Sequence, residues 1–268
     1  MRKAHWFFYP PTLLITCLPL FFASGPATPT DPLWRKAVKV AGAAEDAGLY
    51  PSRVRVFTRV YKSRNRLDST SEVIYCVHRD SAGENHLEIV KVTEDGKDRT
   101  AEARKEAKKA EREQKAKSQQ GKKDEKKLSI SLNYHPFSPE AQRGVEAQRL
   151  RAEELKGKKV ILFSFTYKEQ NAKGMIRGKA WLDAVTGVPL KVISSPDPLP
   201  KHVKSMKTTV TFRLDHEGRW ISDHSLIEAR GSYLLISRDV VTRVTFSKYR
   251  EKAPGTLPSD KPENPKKS

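Results

Sequence analysis

The chain is poor in cysteine: Cys17 and Cys76 are the whole supply in 268 residues. A disulfide scaffold is excluded, and the fold has to rest on packing. Outside the extreme N-terminus there is no apolar run of about twenty residues, which excludes a polytopic membrane protein. Catalytic signatures are missing as well. The sequence has no Gly-x-Ser-x-Gly, no His-Glu-x-x-His, no Walker sequence and no dinucleotide fingerprint. His78, His86, His135, His202, His216 and His224 form no metal-spaced pair, although His78 and His86 flank one loop and can face each other across it. Asp183, beside Thr186-Gly187, reads as a turn former rather than an acid or base. These absences point away from an enzyme and from any metal or cofactor. Negative charge is also short, with 32 Asp and Glu against 51 Lys and Arg, a formal +19.

The N-terminus has the layout of a cleaved secretory signal. Met1-Arg2-Lys3 is basic, residues 6–23 are apolar but broken by Pro10, Pro11 and Pro19, and Gly25-Pro26-Ala27 supplies small residues for cleavage. The expectation is a signal peptide over residues 1–27 and an exported, periplasmic chain. Its remaining thiol, Cys76, lies in an apolar strand pattern and reads as a small packed residue. Export also weakens the nucleic-acid reading that so basic a chain invites, and no nucleic acid is expected as a partner.

Asp31-Pro32-Leu33-Trp34 opens a helical pattern with an Asp cap, a Pro at the first position, and apolar residues at Leu33, Ala37, Val40, Ala41 and Ala44. Strand patterns follow over residues 53–61, 71–79 and 86–92, the last two forming a hairpin. Residues 97–127 then hold thirteen Lys and Arg against seven Asp and Glu, with nothing apolar larger than Ala. They read as a charged insertion, a solvated helix or coil without a packing face. A short strand is expected at 128–132 and a short helix within 139–155. Further strands are expected at 159–168, 174–183, 188–194, 206–214, 219–228, 231–237 and 239–249, with turns at Thr186-Gly187, at 215–218 and at 229–231. The whole of 28–250 reads as one domain, and the Pro- and Lys-rich residues 251–268 as a disordered tail. Ten or eleven strands without crossover helices imply a meandering antiparallel sheet.

Alternation along the later strands separates two faces. Met206, Thr208, Val210, Phe212 and Leu214 point one way and Lys207, Thr209, Thr211 and Arg213 the other; Val240, Val244 and Phe246 likewise oppose Arg243 and Ser247. One wet and one apolar face follow. A packed core and a ligand cavity give the same pattern, and both stay open at this level.

The stretch Gly178-Lys179-Ala180-Trp181-Leu182-Asp183-Ala184-Val185-Thr186-Gly187-Val188-Pro189-Leu190-Lys191-Val192 resembles a strand–turn–strand of the bacterial outer-membrane lipoprotein-sorting superfamily, the periplasmic proteins of the LolA, LolB and RseB kind. The run from Pro196 to Met206 and the turn before Trp220 resemble the same layout. The resemblance implies a mainly β fold with a few helices, in the α+β class: a LolA-like curved antiparallel sheet, or incomplete β-barrel, covered by helices. It also implies a hydrophobic or lipidated ligand held on the apolar face, and so a lipid- or lipoprotein-binding protein that can carry its ligand between envelope membranes. Trp181, Met206, Val210, Phe212, Val244 and Phe246 are the wall candidates. The rival expectation is a structural or regulatory envelope protein with a filled core and a protein partner. Within the domain, residues 128–250 carry a net +9 and residues 28–96 only +1. The natural counterparts of that charge in an exported chain are an anionic membrane surface or an acidic envelope protein.

Overall fold

The computed structural model describes residues 31–62, 65–80, 85–119, 135–168, 174–233 and 236–251. The signal peptide expected at 1–27, the strand expected at 128–132 and, from residue 252, the tail expected at 251–268 lie outside them. Helix α1 (Pro32–Asp46) starts as its sequence dictates: the Asp31 carboxylate accepts from the backbone N–H of Leu33 at 2.8 Å and of Trp34 at 3.4 Å, and Pro32 fills the first turn. Its apolar stripe, Leu33, Trp34, Ala37 and Ala41, is buried.

The strands are β1 (Tyr50–Lys62), β2 (Arg66–Arg79), β3 (Asn85–Glu94), β4 (Lys97–Asp98), β5 (Val145–Leu155), β6 (Lys158–Lys168), β7 (Met175–Asp183), β8 (Pro189–Asp197), β9 (Val203–Leu214), β10 (Trp220–Tyr233) and β11 (Ile236–Arg250). They form one open antiparallel sheet in the order β4-β3-β2-β1-β11-β10-β9-β8-β7-β6-β5. Two meanders, β1–β4 and β5–β11, are joined where the first strand pairs with the last, from Tyr50 opposite Arg250 to Tyr61 opposite Asp239. This is the mainly β, antiparallel architecture expected, and it does not close into a barrel.

Three expectations fail locally. The short helix expected within 139–155 is only a 3-10 turn, Pro139–Gly144; the rest is β5, because pairing with β6 from Val145 opposite Tyr167 to Leu155 opposite Lys158 overrides helix-forming residues. The turn expected at 229–231 is absent. Gly231 stays in the ladder, opposite Val203 on one side and Arg238 on the other, so β10 is one long strand. The charged insertion does form a helix, α2 (Thr100–Gln119), but it is not without a packing partner. Arg104 donates from Nε to the Ile89 carbonyl at 2.8 Å and from Nη2 to that of Val90 at 3.2 Å, capping the outer edge of β3.

Two glycines in the family-like stretch are explained by close approach. A Cβ on Gly178 would lie 2.4 Å from the ring of Phe165, so its absence lets that ring lie on β7. Gly187 has a φ of +76° and would bring a Cβ within 2.7 Å of Lys36 Cβ, so the β7–β8 turn sits directly against α1. Asp183 holds that turn by accepting from the N–H groups of Val185 and Thr186 and from the Thr186 hydroxyl. Those bonds, the Thr186 amide first, keep its carboxyl below the usual range.

Candidate functional site

Residues opposite one another in the ladders share a face. One such row crosses nearly the whole sheet: Phe163, Ala180, Val192, Val210, Ser225, Val244, Val56, Val73 and Val92. It lies on the face that α1 covers. Burial along the row is uneven. Phe163 and Ala180 are fully buried and Val192 nearly so, whereas Val210, Ser225, Val244, Val56 and Val73 are only half-buried.

The difference follows from what lies above. Over β6–β10, α1 and the segment 135–144 close the face. Trp34 is fully buried against Phe137, Phe163 and Phe165, with ring centroids 4.9, 5.5 and 6.3 Å away. Its Nε1 donates to Gln142 Oε1 at 3.0 Å, and Gln142 in turn donates to the carbonyls of Pro136 and Ser138. Over β11, β1 and β2 no comparable covering exists among the described residues. There the face shows Val244, Val56 and Val73, then a mixed row of Thr208, Ile227, Thr242, Thr58 and Ser71, then Met206, Ala229, Val240 and Val60. Thr58 and Thr242 join by their hydroxyls at 3.1 Å.

The wall candidates divide accordingly. Met206 and Val244 lie on the uncovered part, and Val210 at its border against the closed core. Phe212 does not line an open wall: it is buried under α1, stacked on Trp220 with centroids 4.5 Å apart. Phe246 is buried with Val54 and Val77 in a second, smaller cluster. Trp181 is on the other face altogether. Its ladder row continues through Lys191, Thr211 and His224, its Nε1 donates to Glu153 at 2.9 Å, and the Lys191 ammonium sits 4.9 Å from its ring. Period-two alternation decides this, because Trp181 lies between the buried Ala180 and Leu182.

Two groups that the sequence pattern did not single out meet inside the closed part. His135 is buried edge-on against Trp220, centroids 5.0 Å apart, and its Nδ1 accepts from the N–H of Phe137. Its Nε2 is 4.0 Å from the Glu45 carboxylate of α1. Burial lowers the imidazole pKa to about 4 and raises that of Glu45. Both line a cavity of about 30 Å³ beside Ile221, Ser222 and Tyr249, and a second of about 10 Å³ lies on the other side of His135. Nothing local in the sequence marks the pair, since 90 residues separate its members. His78 and His86 do stand opposite each other, but each engages a carboxylate, Glu88 at 3.3 Å and Asp80 at 2.7 Å. Among the described residues no cluster of His, Cys, Asp or Glu could hold a metal ion, and no helix is long and apolar enough to cross a membrane.

No protein-family model matches the chain, and no curated protein matches it in sequence. Among solved structures it is similar to a putative outer membrane lipoprotein-sorting protein domain from Vibrio parahaemolyticus, at 11% identity and a TM-score of 0.37, covering 85% of this chain and 96% of that one. A DUF1329 family protein from Desulfovibrio piger matches at 9% identity and a TM-score of 0.35, covering 84% and 95%. The complex of MucA and MucB from Pseudomonas aeruginosa matches at 10% identity and a TM-score of 0.22, covering 82% and 99%.

Proposed function

We propose that the chain is an exported, non-enzymatic envelope protein that holds a hydrophobic or lipidated ligand against the uncovered part of the α1 face, over β9–β11, β1 and β2. One observation carries this reading. The row that is fully buried at Phe163 and Ala180 continues as Val244, Val56 and Val73 with no covering element among the described residues. Acyl chain laid there recovers about 0.8 kcal/mol per buried methylene. The closed part is not the ligand site. Cavities of about 30 and 10 Å³ are of the size of a water molecule, against several hundred Å³ for a ligand pocket. Carriage between envelope membranes is the finer form of the proposal, and the periplasm is the compartment that the N-terminal segment implies.

A second reading, binding of a partner polypeptide, draws on the hydroxyls of Thr208, Thr242, Thr58 and Ser71 in the row that Ile227 interrupts, which give the patch hydrogen-bonding groups that an acyl chain does not need. Native mass spectrometry of the mature protein from its own envelope separates the two. Wild type is expected to carry an adduct of acyl-chain mass, and Val244→Asp to lose it while keeping its circular dichroism spectrum. A wild-type protein without such an adduct overturns the lipid reading; a co-purifying polypeptide lost in Val244→Asp puts the second in its place.

A further inference from the structure

In an antiparallel sheet the strand ends alternate between two edges, and here the two edges differ in chemistry. One of them gathers the end of β1 with the start of β2, the end of β10 with the start of β11, the β8–β9 loop and the start of β7. These segments are physically continuous. Asp68 of β2 pairs with Lys62 of β1 and, at 3.2 Å, with Arg238 of β11. The N–H of Ser232 donates to the carbonyl of His202 at 2.9 Å, and Met175 stands opposite Asp197. From β2 to β7 this edge crosses six strand spacings, roughly 30 Å at about 4.8 Å each.

Along it three large apolar side chains from three separate segments face solvent: Leu67 at 52% exposure, Met175 at 36% and Leu199 at 36%. Beside them stand the exposed cations Arg66, Lys201 and Lys204, with Lys168 on β6 next to Met175. The acids on the same stretch are neutralised locally, Asp68 as above, Asp197 by Arg177 at 2.9 Å and Asp239 by Arg230. Glu94 at the end of β3 and Asp95 on the turn after it bound the surface on that side. The opposite edge also exposes apolar side chains, Val185 at 79% in the β7–β8 turn and Leu214 at 48%, but beside Leu214 lie Asp215, Glu217 and Glu251, gathered on Arg219.

Apolar side chains set singly among cations that form no ion pair with a described residue are what a headgroup region accepts: the charges meet anionic phosphates while the side chains reach the acyl boundary. We infer that this edge of the sheet is the surface by which the protein docks on an anionic lipid bilayer. The inference rests on the ligand reading above and sharpens it, because Met206, Val240 and Val60 are the last apolar residues of the uncovered patch before this edge. Docking would set the patch open toward the membrane from which a lipidated ligand comes.

The test is co-sedimentation of the full mature chain with vesicles of phosphatidylethanolamine and phosphatidylglycerol, and with vesicles of phosphatidylcholine alone. Wild type is expected to bind the anionic vesicles and to be released by high salt. Replacing Arg66, Lys201 and Lys204 by Glu is expected to weaken partition by roughly a hundredfold, at about fivefold per cation. Replacing Leu67, Met175 and Leu199 by Ser should weaken it at every salt concentration. The same charge change at the opposite edge, Lys156, Lys158 and Lys159 to Glu, should leave it near wild type. Equal binding to both vesicle types, or equal loss from charge changes at either edge, overturns the inference, as does wild type that binds neither. Val244→Asp is expected to bind vesicles normally while losing its adduct, so failure of the docking surface and failure of the ligand site are read separately.

Discussion

The sheet is continuous, yet its two parts are held in different ways. Over β5–β9 and the start of β10, eight buried sheet residues form one cluster with four from α1 and Phe137 of the segment 135–144. Over β1–β3 and β11 the corresponding cluster has three, Val54, Val77 and Phe246, with half-buried neighbours. The backbone ladder is equally complete in both, so hydrogen bonding does not distinguish them. What differs is the layer above the sheet. A sheet with one bare apolar face is the less stable of the two arrangements, and it is also the one that offers a surface to a ligand. On the proposed reading the closed part supplies rigidity and the open part the binding surface, with β10 shared between them.

The largest expected effect breaks the closed part. Trp34→Ala removes the ring that contacts Phe137, Phe163 and Phe165 and orphans Gln142 Oε1. The expected cost is about 3–5 kcal/mol, measured by urea denaturation. If the two parts differ as argued, amide exchange should accelerate in β6–β8 more than in β1–β2; uniform acceleration would mean that they unfold as one unit and that the contrast is only one of burial.

The next effect is set by pH. The folded-state pKa of His135 is about 4, below the unfolded value near 6.5, because burial disfavours the imidazolium. At pH above 6.5 both states are neutral and its packing contributes in full. As pH falls through the window from 6.5 to about 4 the unfolded state takes up the proton first, and stability is lost, by an amount on the order of 3 kcal/mol. Glu45, the carboxylate facing it from α1, works against this. Burial, aided by Glu140 and Asp46, raises its pKa, so its contribution is favourable at low pH and lost as pH rises. From β11, Tyr249 faces the same cavity and stays protonated throughout, its pKa being raised by burial. Urea midpoints between pH 7 and pH 4.5 should drop more for wild type than for His135→Phe. Equal drops would show that His135 is not what makes the closed part acid-sensitive.

The parts were unequally legible in the sequence. Strand alternation located both the apolar face and the α1 stripe, because periods of two and of 3.6 are local signals. Met206 and Val244 do lie on the uncovered part of that face. Phe212 and Val244 carry the same local pattern, however, and only the position of α1 decides that one is core and the other surface. Trp181 was misplaced by its chemistry: a large aromatic suggests a wall, but its neighbours Ala180 and Leu182 take the buried side. The segment 145–155, rich in Glu, Arg and Ala, looks helical until its pairing with β6 is known. Strand ends were drawn short, since alternation fades into polar residues at the edges, where the docking surface lies.

The smallest expected effect concerns the free edge of the open part. Val92 is 5% exposed although the rest of its row, Val73 and Val56, is only half-buried. The reason lies in the start of α2: the Val92 N–H donates to the Thr100 hydroxyl at 3.0 Å, and Arg104 closes the carbonyls of Ile89 and Val90. Arg104 is an exposed residue bonded to backbone, so Arg104→Ala should cost no more than about 1 kcal/mol. Its consequence should appear elsewhere. Without the cap, β3 presents unpaired carbonyls along an edge, and α2 keeps fewer ties to the sheet. Faster amide exchange in α2 and concentration-dependent self-association, at a nearly unchanged urea midpoint, are the expected signature. A lowered midpoint without self-association would instead show that α2 is part of what holds the open part together, which would narrow the difference between the two.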